Sequence, residues 1–429
     1  MMQIYEDREW IEEITQLGML GRKNLKKVCS FEEIQEEDGL YRIEGSDSMD
    51  ASLKYLLGRM EELELEIFFD SVGNLYGSLK GTDQEKPGIA IGSHLDSVAD
   101  GGMFDGVVGV VGALEAIRRL KKDNHIPKRD ITLIVFMGEE GSAVLEACLG
   151  SQYICGKITK DEVYNLTSSS GEKFYNLLKR TGKIESAHAV KDFKVNDFDS
   201  FLELHIEQGP VLENNNLPVG LVNAIYGIRS YKVSIKGLSN HAGSTPMSLR
   251  KDALYGASQF IHKVTDYVSS HKEKYNCVLT FDTFEIFPNS PSIIPNEVKL
   301  TIDARSDTIT GLNMMDTLIF TELEHICSPL GLTWTIQKVM DFNPTELDKN
   351  LNSKISKIIE DLKIDYMILP SGAIHDSMHI AEKIQTSLIF VQSLKGVSHS
   401  PYEWSSWDHI ESGIDILTES LKKLDEKFI

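Results

Sequence analysis

Residues 88–136 read GIAIGSHLDSVADGGMFDGVVGVVGALEAIRRLKKDNHIPKRDITLIVF, a stretch with two apolar runs and a helical segment between them. The apolar runs at 88–92 and 131–136 predict strands, and the periodicity of residues 107–122 predicts a helix. A strand, a helix and a second strand in this order form a parallel βαβ unit. Continuous apolar strands suit a sheet that is covered on both faces. The stretch therefore predicts an α/β fold, with helices on both faces of a mostly parallel sheet.

The pattern changes after residue 217. Long alternating segments follow, separated by two helical stretches; the segments are 231–235, 277–287 and 297–304, and the helical stretches are 248–270 and 310–327. This pattern predicts an α+β module with an antiparallel sheet and two helices. The α/β pattern resumes from about residue 350, with a strand at 387–391 and a closing helix at 406–423. We therefore expect a larger domain of residues 1–216 and 338–429, with residues 217–337 inserted into it.

The composition excludes several classes of protein. The 429-residue chain has a formal net charge of −21, whereas nucleic acids and anionic membranes bind clustered Lys and Arg. No apolar run approaches the roughly 20 residues that span a bilayer. Residues 1–10 lack the basic and apolar segments of a secretory signal, so we expect a cytoplasmic protein. The five cysteines are scattered and lack the spacing of a zinc ribbon, which indicates reduced thiols.

Histidine and carboxylate residues recur where the predicted strands end. They are His94 and Asp96 after the first strand, Asp105 in a glycine-rich loop, Glu139 and Glu140 after the 131–136 strand, His205 in a strand at 201–206, and His399 after the 387–391 strand. Singly, each such residue is more often part of a turn or a surface than a ligand. The carboxyl ends of strands line the ligand crevice of a doubly wound sheet, so the residues can converge there. Their combination favours a metal site.

Eight motifs carry a resemblance to a known family. They are GSHLDSV (92–98), GGMFDGVVGV (101–110), EEGS (139–142), HIEQGP (205–210), NHAGSTPM (240–247), DAR (303–305), HD (375–376) and SHSP (398–401). In this order the sequence resembles the hydantoinase/carbamoylase branch of the M20 metallopeptidase superfamily, over nearly the whole chain. The resemblance implies a binuclear metal-dependent hydrolase that cleaves the carbamoyl C–N bond of a small carboxylate substrate. An N-carbamoyl-L-amino acid or an allantoate-like ureido acid would be that substrate.

The resemblance also implies how two divalent metal ions are held in the larger, catalytic domain. Asp105 would bridge the ions, with His94 and His205 on one ion and with Glu140 and His399 on the other. Mixed histidine and carboxylate ligands suit Zn²⁺ best, and Mn²⁺, Co²⁺ or Ni²⁺ also fit.

Three further residues have catalytic roles in this resemblance. Asp96 would orient His94 and fix its tautomer. Glu139 would be the general base, taking a proton from water and handing it to the leaving nitrogen. His241 would donate to the carbonyl oxygen in the transition state, reaching the site from a partner subunit. The inserted domain is therefore expected to act as a lid and to form a homodimer.

Substrate contacts are implied at four further positions. Arg305 resembles the residue that pairs with the substrate carboxylate, for which the guanidinium fork is suited. Gln208, Ser371 and Gly372 resemble further polar contacts.

Three positions depart from the family pattern, and all of them concern the substrate pocket. Ser292 stands where the family usually has an Asn that grips the substrate carboxylate. Ile374 stands in place of a glycine, and Ile228 interrupts a Gly-Gln-Arg-Arg-like stretch. The reaction type is therefore better defined than the substrate. An aminopeptidase, dipeptidase or N-acyl amino acid deacylase on the same metal pair, and a scaffold protein that has lost activity, are the alternatives.

Overall fold

The computed structural model describes residues 8–83, 85–144, 146–168, 170–184 and 188–426. Within them the chain forms two compact units. The first unit holds the described residues before 224, residues 347–369 and the described residues from 375 onwards, and the second holds residues 224–346 and 370–374. These boundaries fall several residues after those expected at 216/217 and 337/338.

Strands and helices alternate along most of the described chain. The strands are β1 Glu66–Phe69, β2 Leu75–Leu79, β3 Gly88–His94, β4 Ile131–Phe136, β5 Ala189–Val190, β6 Phe198–Ile206, β7 Val219–Ile225, β8 Gly227–Lys236, β9 Cys277–Phe287, β10 Glu297–Ser306, β11 Thr333–Phe342, β12 Thr345–Glu346, β13 Tyr366–Ser371 and β14 Gln385–Val391. The helices are α1 Glu9–Gly21, α2 Asp47–Glu62, α3 Val107–Lys122, α4 Leu149–Ile154, α5 Lys160–Asn165, α6 Phe174–Arg180, α7 Val211–Asn214, α8 Ala253–Tyr275, α9 Ile309–Cys327, α10 Lys349–Leu362, α11 Ser377–Ile380 and α12 Trp407–Glu426.

The first unit is built on a mixed sheet with a parallel centre. Seven of its strands follow the order β5-β1-β2-β4-β3-β6-β14, in which β4, β3, β6 and β14 are parallel neighbours, and β7 pairs antiparallel with β14. β2 runs antiparallel to both β4 and β1. The prediction of an α/β fold with a mostly parallel sheet is confirmed.

Helices cover both faces of this sheet. Along β3, Ile89 and Ile91 pack into one core with residues of α1, α2, α3, α10 and α12. Ala90, between them, packs into the opposite core with Ile154 of α4 and Ile380 of α11. Successive strand side chains point to opposite faces, so a strand buried on both sides must be apolar throughout. This explains the continuous apolar runs that the sequence shows.

The second unit is an antiparallel sheet packed on two helices. The strands follow the order β11-β8-β10-β9, and α8 and α9 supply the helical side of the core. The predicted helix at 248–270 begins only at Ala253, because the side chain of Asp252 accepts the backbone N–H of Tyr255 and caps the helix there. The prediction of an α+β module is confirmed.

The chain leaves the first unit and returns to it at neighbouring positions. The backbone N–H of Leu347 donates to the carbonyl of Asn223 at 2.9 Å, so the last residue before the second unit lies beside the first residue after it. Among the described residues, no helix is both long and apolar enough to cross a membrane.

Candidate metal centre

The candidate metal centre lies where the parallel strands of the first unit end. β3 ends at His94, and Glu139 and Glu140 follow the end of β4. His205 is the penultimate residue of β6, and His399 lies in the segment after β14. The carboxyl ends of neighbouring parallel strands meet at one edge of a sheet, so these side chains gather in one crevice.

One group of donors surrounds Oδ1 of Asp105. This oxygen lies 3.4 Å from Nε2 of His94 and 3.2 Å from Nε2 of His205, and the two Nε2 atoms are 3.4 Å apart. All three side chains are buried. The close approach requires Gly106, since a Cβ there would lie 2.5 Å from Cε1 of His94.

The second nitrogen of each imidazole faces a backbone carbonyl. Nδ1 of His94 lies 3.0 Å from the carbonyl oxygen of Asp96, and Nδ1 of His205 lies 2.9 Å from that of Ile206. A carbonyl oxygen can only accept a hydrogen bond, so Nδ1 carries the proton in both rings. In the neutral imidazole the lone pair is then on Nε2, where it faces Asp105. This is the tautomer that a metal ligand needs.

A second group of donors surrounds the other oxygen of Asp105. Its Oδ2 lies 3.2 Å from Nε2 of His399, which is 3.5 Å from Oε2 of Glu140. Gln208 donates from Nε2 to the same Oδ2 at 2.8 Å. One carboxylate thus places its two oxygens in two different sets of donors.

The separations between donors match those around a small divalent cation. A tetrahedral ion with bonds of about 2.0–2.1 Å has neighbouring ligands about 3.3–3.4 Å apart. The distances among Asp105, His94 and His205, and among Asp105, His399 and Glu140, are close to this value. Each of the two sets keeps its ligand atoms within 4.8 Å of one another. The residues present therefore fit divalent metal binding.

The carboxylate of Asp96 contacts the segment that carries Glu139 and Glu140. Its Oδ1 accepts the backbone N–H of Glu139 at 3.3 Å, and its Oδ2 accepts that of Glu140 at 3.0 Å. Its Oδ1 also lies 3.6 Å from Nδ1 of His94, whereas the backbone carbonyl oxygen of Asp96 lies 3.0 Å from that nitrogen. Asp96 therefore contacts His94 chiefly through its backbone, while its side chain fixes the Glu139–Glu140 turn.

Glu139 is buried beside the first group of donors. Its Oε2 lies 3.8 Å from Nε2 of His94, and its Oε1 accepts a weak hydrogen bond from the thiol of Cys148 at 3.7 Å. Burial raises the pKa of Glu139 well above its ordinary value, and the neighbouring carboxylate of Glu140 adds to the rise. A raised pKa suits a carboxylate that must take up a proton near neutral pH.

The buried charges of the centre shift one another's pKa values. Burial disfavours the charged form of His94, but Glu139, Asp105 and Asp96 outweigh it and raise its pKa. Burial likewise opposes ionisation of Asp105, yet the surrounding histidines hold its pKa well below the ordinary value. Burial and the charge of Asp105 raise the pKa of Glu140 to about 7. Such opposed shifts are typical of functional sites.

The other predicted site residues belong to the second unit. His241 is exposed and accepts the backbone N–H groups of Gly243 and Ser244 on Nδ1, at 3.1 Å each. Its proton is therefore on Nε2, which leaves that atom as a donor. Ser292 has a positive φ of 64° and accepts the backbone N–H of Ala242 on its carbonyl, next to the His241 loop.

Arg305 is held by its own strand and by the 370–374 segment. Its Nε and one terminal nitrogen donate to the two carboxylate oxygens of Asp303, at 2.8 and 2.9 Å. The other terminal nitrogen donates to the carbonyl of Gly372 at 2.9 Å. The hydroxyl of Ser371 hydrogen bonds to the backbone of Ala373. The fork of Arg305 is thus oriented by Asp303 and Gly372.

Sequence reasoning missed two buried residues beside the metal donors. Glu403 accepts the backbone N–H groups of Phe104 and Asp105, and Arg42 is fully buried with Glu403 as its strongest electrostatic neighbour. Glu403 lies four residues after His399, which is the only sequence signal that points to it. The two backbone N–H groups that it accepts are about 300 residues away in the chain, a separation that no local sequence pattern reveals.

Comparison with known proteins places this geometry in a family. Residues 90–423 match the peptidase family M20/M25/M40. An N-carbamoyl-L-amino-acid amidohydrolase of Paenarthrobacter aurescens is 32% identical, over 94% of this chain and 97% of its own length. An allantoate amidohydrolase of Escherichia coli is 35% identical, over 85% of this chain and 88% of its own length.

A solved structure shares the whole fold. The hydantoinase/carbamoylase family amidase of Burkholderia multivorans superposes with a TM-score of 0.84 at 27% identity, over 96% of each chain. The match in sequence and fold agrees with the resemblance carried by the eight motifs. The chain belongs to the peptidase family M20/M25/M40, and within it to the hydantoinase/carbamoylase amidases.

Proposed function

We propose that this hydrolase cleaves the carbamoyl C–N bond of an N-carbamoyl-L-amino acid or an allantoate-like ureido acid, using two divalent metal ions. The observation that carries the proposal is the position of Asp105. Its two oxygens face separate donor sets, one with His94 and His205 and one with Glu140 and His399. A bridging carboxylate between two sets of donors is the arrangement expected of a two-metal hydrolase. Zn²⁺ suits these donors best, with Mn²⁺, Co²⁺ or Ni²⁺ as substitutes.

The chemistry divides between the ions and the chain. When bound, paired divalent ions lower the pKa of water towards about 7 and polarise a carbonyl group. Glu139 takes the proton from the attacking water as the oxygen adds to the carbamoyl carbon. Glu139 then passes the proton to the amino-acid nitrogen as the C–N bond breaks. The released carbamate decomposes to ammonia and carbon dioxide.

Six residues contact the substrate in this proposal. Arg305 pairs with the substrate carboxylate, and Gln208, Ser292, Ser371 and Gly372 add polar contacts. His241 donates from Nε2 to the carbonyl oxygen.

We also propose a cytoplasmic homodimer formed through the second unit. Three exposed apolar side chains near His241 support the dimer: Leu238, Met247 and Leu249 are 57%, 79% and 71% exposed. The three residues fall within one twelve-residue stretch, 238–249, and contiguous exposed apolar surface is typical of protein interfaces.

The alternatives have less support. The amidohydrolase names of the relatives do not favour a peptidase or a deacylase of peptide-like bonds. A scaffold without activity would have no reason to keep Glu139 buried beside the ligand set, with its backbone held by Asp96.

Ammonia release tests the proposal directly. Metal-loaded protein is assayed with allantoate, ureidoglycolate, β-ureidopropionate and several N-carbamoyl-L-amino acids, with matched dipeptides assayed for free amino acids. We expect ammonia from at least one ureido substrate and no dipeptide cleavage. Cleavage of dipeptides with silence on every ureido compound would overturn the proposal and move the enzyme to the peptidase alternative. If neither the ureido compounds nor the dipeptides are hydrolysed, the proposed hydrolase activity is overturned.

A further inference from the structure

One buried carboxylate outside the ligand set joins two loops of the metal centre. Glu403 is 1% exposed and lies in the segment that follows His399. Its Oε1 accepts the backbone N–H groups of Phe104 and Asp105, each at 3.0 Å. Its Oε2 accepts the hydroxyl of Ser398 at 2.7 Å. The same side chain therefore holds the backbone of Asp105 and the residue next to His399.

The two loops supply ligands to different halves of the centre. Asp105 contributes to both donor sets, whereas His399 belongs only to the second. The hydroxyl of Ser398 also lies 3.4 Å from Oδ2 of Asp105, so the loops touch at the bridging carboxylate itself. A shift of either loop would change the separations between donors on which metal binding depends.

The surroundings of Glu403 leave it little freedom. Gly102 packs directly on it, and a Cβ at that position would lie 2.3 Å from the Cβ and the carboxyl carbon of Glu403. The Glu403 side chain thus fills the space that any larger residue at 102 would need. A side chain fixed by packing is suited to positioning its hydrogen-bond partners.

A buried cation balances the charge of this carboxylate. Arg42 is fully buried, and its Nε donates to the carbonyl of Leu95 at 2.8 Å. Burial lowers the pKa of Arg42 to about 10, while Glu403, Asp105 and Asp96 oppose this effect. The negative charges of Glu403, Asp105 and Asp96 therefore favour the charged form of Arg42.

We propose that Glu403 is a positioning residue that couples the two halves of the metal centre, by fixing the 104–105 backbone and the 398–399 segment to one side chain. This inference rests on the proposed function, because it presumes that Asp105 and His399 bind metal. Glu403 itself belongs to neither of the two donor sets. It acts through the position of the ligands.

The length of the side chain separates a positioning role from a charge role. Glu403→Asp keeps the charge but is too short to reach both loops. Glu403→Gln loses the charge but keeps the length, with an oxygen for the two backbone N–H groups and an amide N–H for Ser398. Changes around metal ligands typically cost about 10–100-fold in metal affinity. We expect the metal affinity of Glu403→Asp to fall roughly tenfold or more, and that of Glu403→Gln to stay within about threefold of the wild-type value.

The measurement is metal affinity, by competition with a chromogenic chelator, together with the unfolding temperature of the metal-free protein. Asp425 gives a matched control, because it is equally buried and its Oδ1 accepts the backbone N–H groups of Lys128 and Arg129 at 2.8 and 3.3 Å. We expect Asp425→Ala to lower the unfolding temperature without changing metal affinity.

The possible outcomes distinguish failure of the positioning role from failure of the proposed function. If Glu403→Asp binds metal as tightly as the wild type, or if Glu403→Gln is the weaker binder, the positioning role is overturned while the metal centre stands. If Glu403→Asp lowers the unfolding temperature as Asp425→Ala does but leaves metal affinity unchanged, Glu403 has only a structural role. If the wild-type chain binds no divalent metal, the proposed function fails first and this inference fails with it.

Discussion

Oδ2 of Asp96 accepts the backbone N–H of Glu140 at 3.0 Å, and the carbonyl oxygen of Asp96 lies 3.0 Å from Nδ1 of His94. One residue thus contacts a donor of each set. The resemblance to the family implies a role for Asp96 in orienting His94, and the structure adds that its carboxylate holds the turn of Glu139 and Glu140. The position of Glu139, the proposed general base, and that of His94, a proposed ligand, are therefore linked.

Asp96→Asn tests this link. The amide nitrogen of Asn would face a backbone N–H group instead of accepting from it, so the Glu139–Glu140 turn would shift. We expect metal affinity to fall by about 10–100-fold, as measured by chelator competition. Asp192→Asn is the control, since Asp192 accepts the N–H of Ser71 on the exposed surface. Equal affinity in both variants would contradict the role.

Glu139→Gln tests the general base. The amide keeps the size of the side chain but cannot accept a proton, so we expect turnover to fall by about 10²–10⁴-fold. Metal content, measured by elemental analysis, should stay at the wild-type level, because Glu139 serves in proton transfer rather than as a ligand in the proposed centre. Turnover near that of the wild type would assign the base to another residue.

Metal removal tests the dependence on divalent ions. We expect a chelator to abolish turnover and added Zn²⁺, Mn²⁺, Co²⁺ or Ni²⁺ to restore it. The unfolding temperature should fall at the same time, because an ion that binds only the folded chain stabilises it. Full activity after metal removal has been verified by elemental analysis would rule out the mechanism.

Arg305→Lys tests recognition of the substrate carboxylate. Lysine keeps the charge but loses the planar fork that Asp303 and Gly372 orient. Because the bidentate pairing is lost, we expect KM for the ureido acid to rise by about tenfold or more, with a smaller change in kcat. A substrate analogue that carries an amide in place of the carboxylate serves as the control, and its KM should not change. An equal rise with both compounds would show that Arg305 has a structural role.

Asp70 predicts a pH dependence of stability away from the metal centre. Burial raises its pKa to about 6, against hydrogen bonds from Asn74 and Tyr76 that favour the charged form. A carboxyl group with a raised pKa in the folded state stabilises the fold at low pH, and this contribution is lost as pH rises through about 6.

Asp70→Asn removes that titration. Relative to the variant, the wild type should lose about 1 kcal/mol of unfolding free energy between about pH 5 and about pH 7.5. Urea unfolding of both proteins at several pH values measures the difference. A difference that is constant with pH would show that the pKa of Asp70 is not raised.

The parts of the fold that follow from local pattern were predictable. The helix at Val107–Lys122 and the strands at Ile131–Phe136 and Cys277–Phe287 are confirmed with their predicted bounds. β1 and β2 were not predicted, because these short strands show no strict alternation of apolar and polar residues. The start of α8 was placed five residues early, since periodicity does not reveal where Asp252 caps the helix.

The candidate site divides in the same way. Histidines and carboxylates at strand ends indicate which residue types gather, and the structure brings His94, Asp105 and His205 together as expected. The role of Glu403 could not be predicted, because its hydrogen bonds to the backbone of Phe104 and Asp105 join residues about 300 positions apart. The hydrogen bonds between Arg305 and Asp303 could not be predicted either, although the two residues are two positions apart on one strand. A motif identifies the residues that are present, but the contacts of those residues become known only from the fold.

The hydrogen bond between Leu347 and Asn223 bears on how such enzymes diversify. A segment whose two ends lie side by side can be gained, lost or exchanged in one recombination event, because the host domain needs no rearrangement to close the gap. Residues 224–346 form such a cassette, and the short segment 370–374 belongs to the same unit. In the proposed enzyme this cassette holds His241, Ser292 and Arg305 and none of the metal donors. Grafting it from a relative would then exchange these three residues while the metal donors and Glu139 of the host domain stay in place.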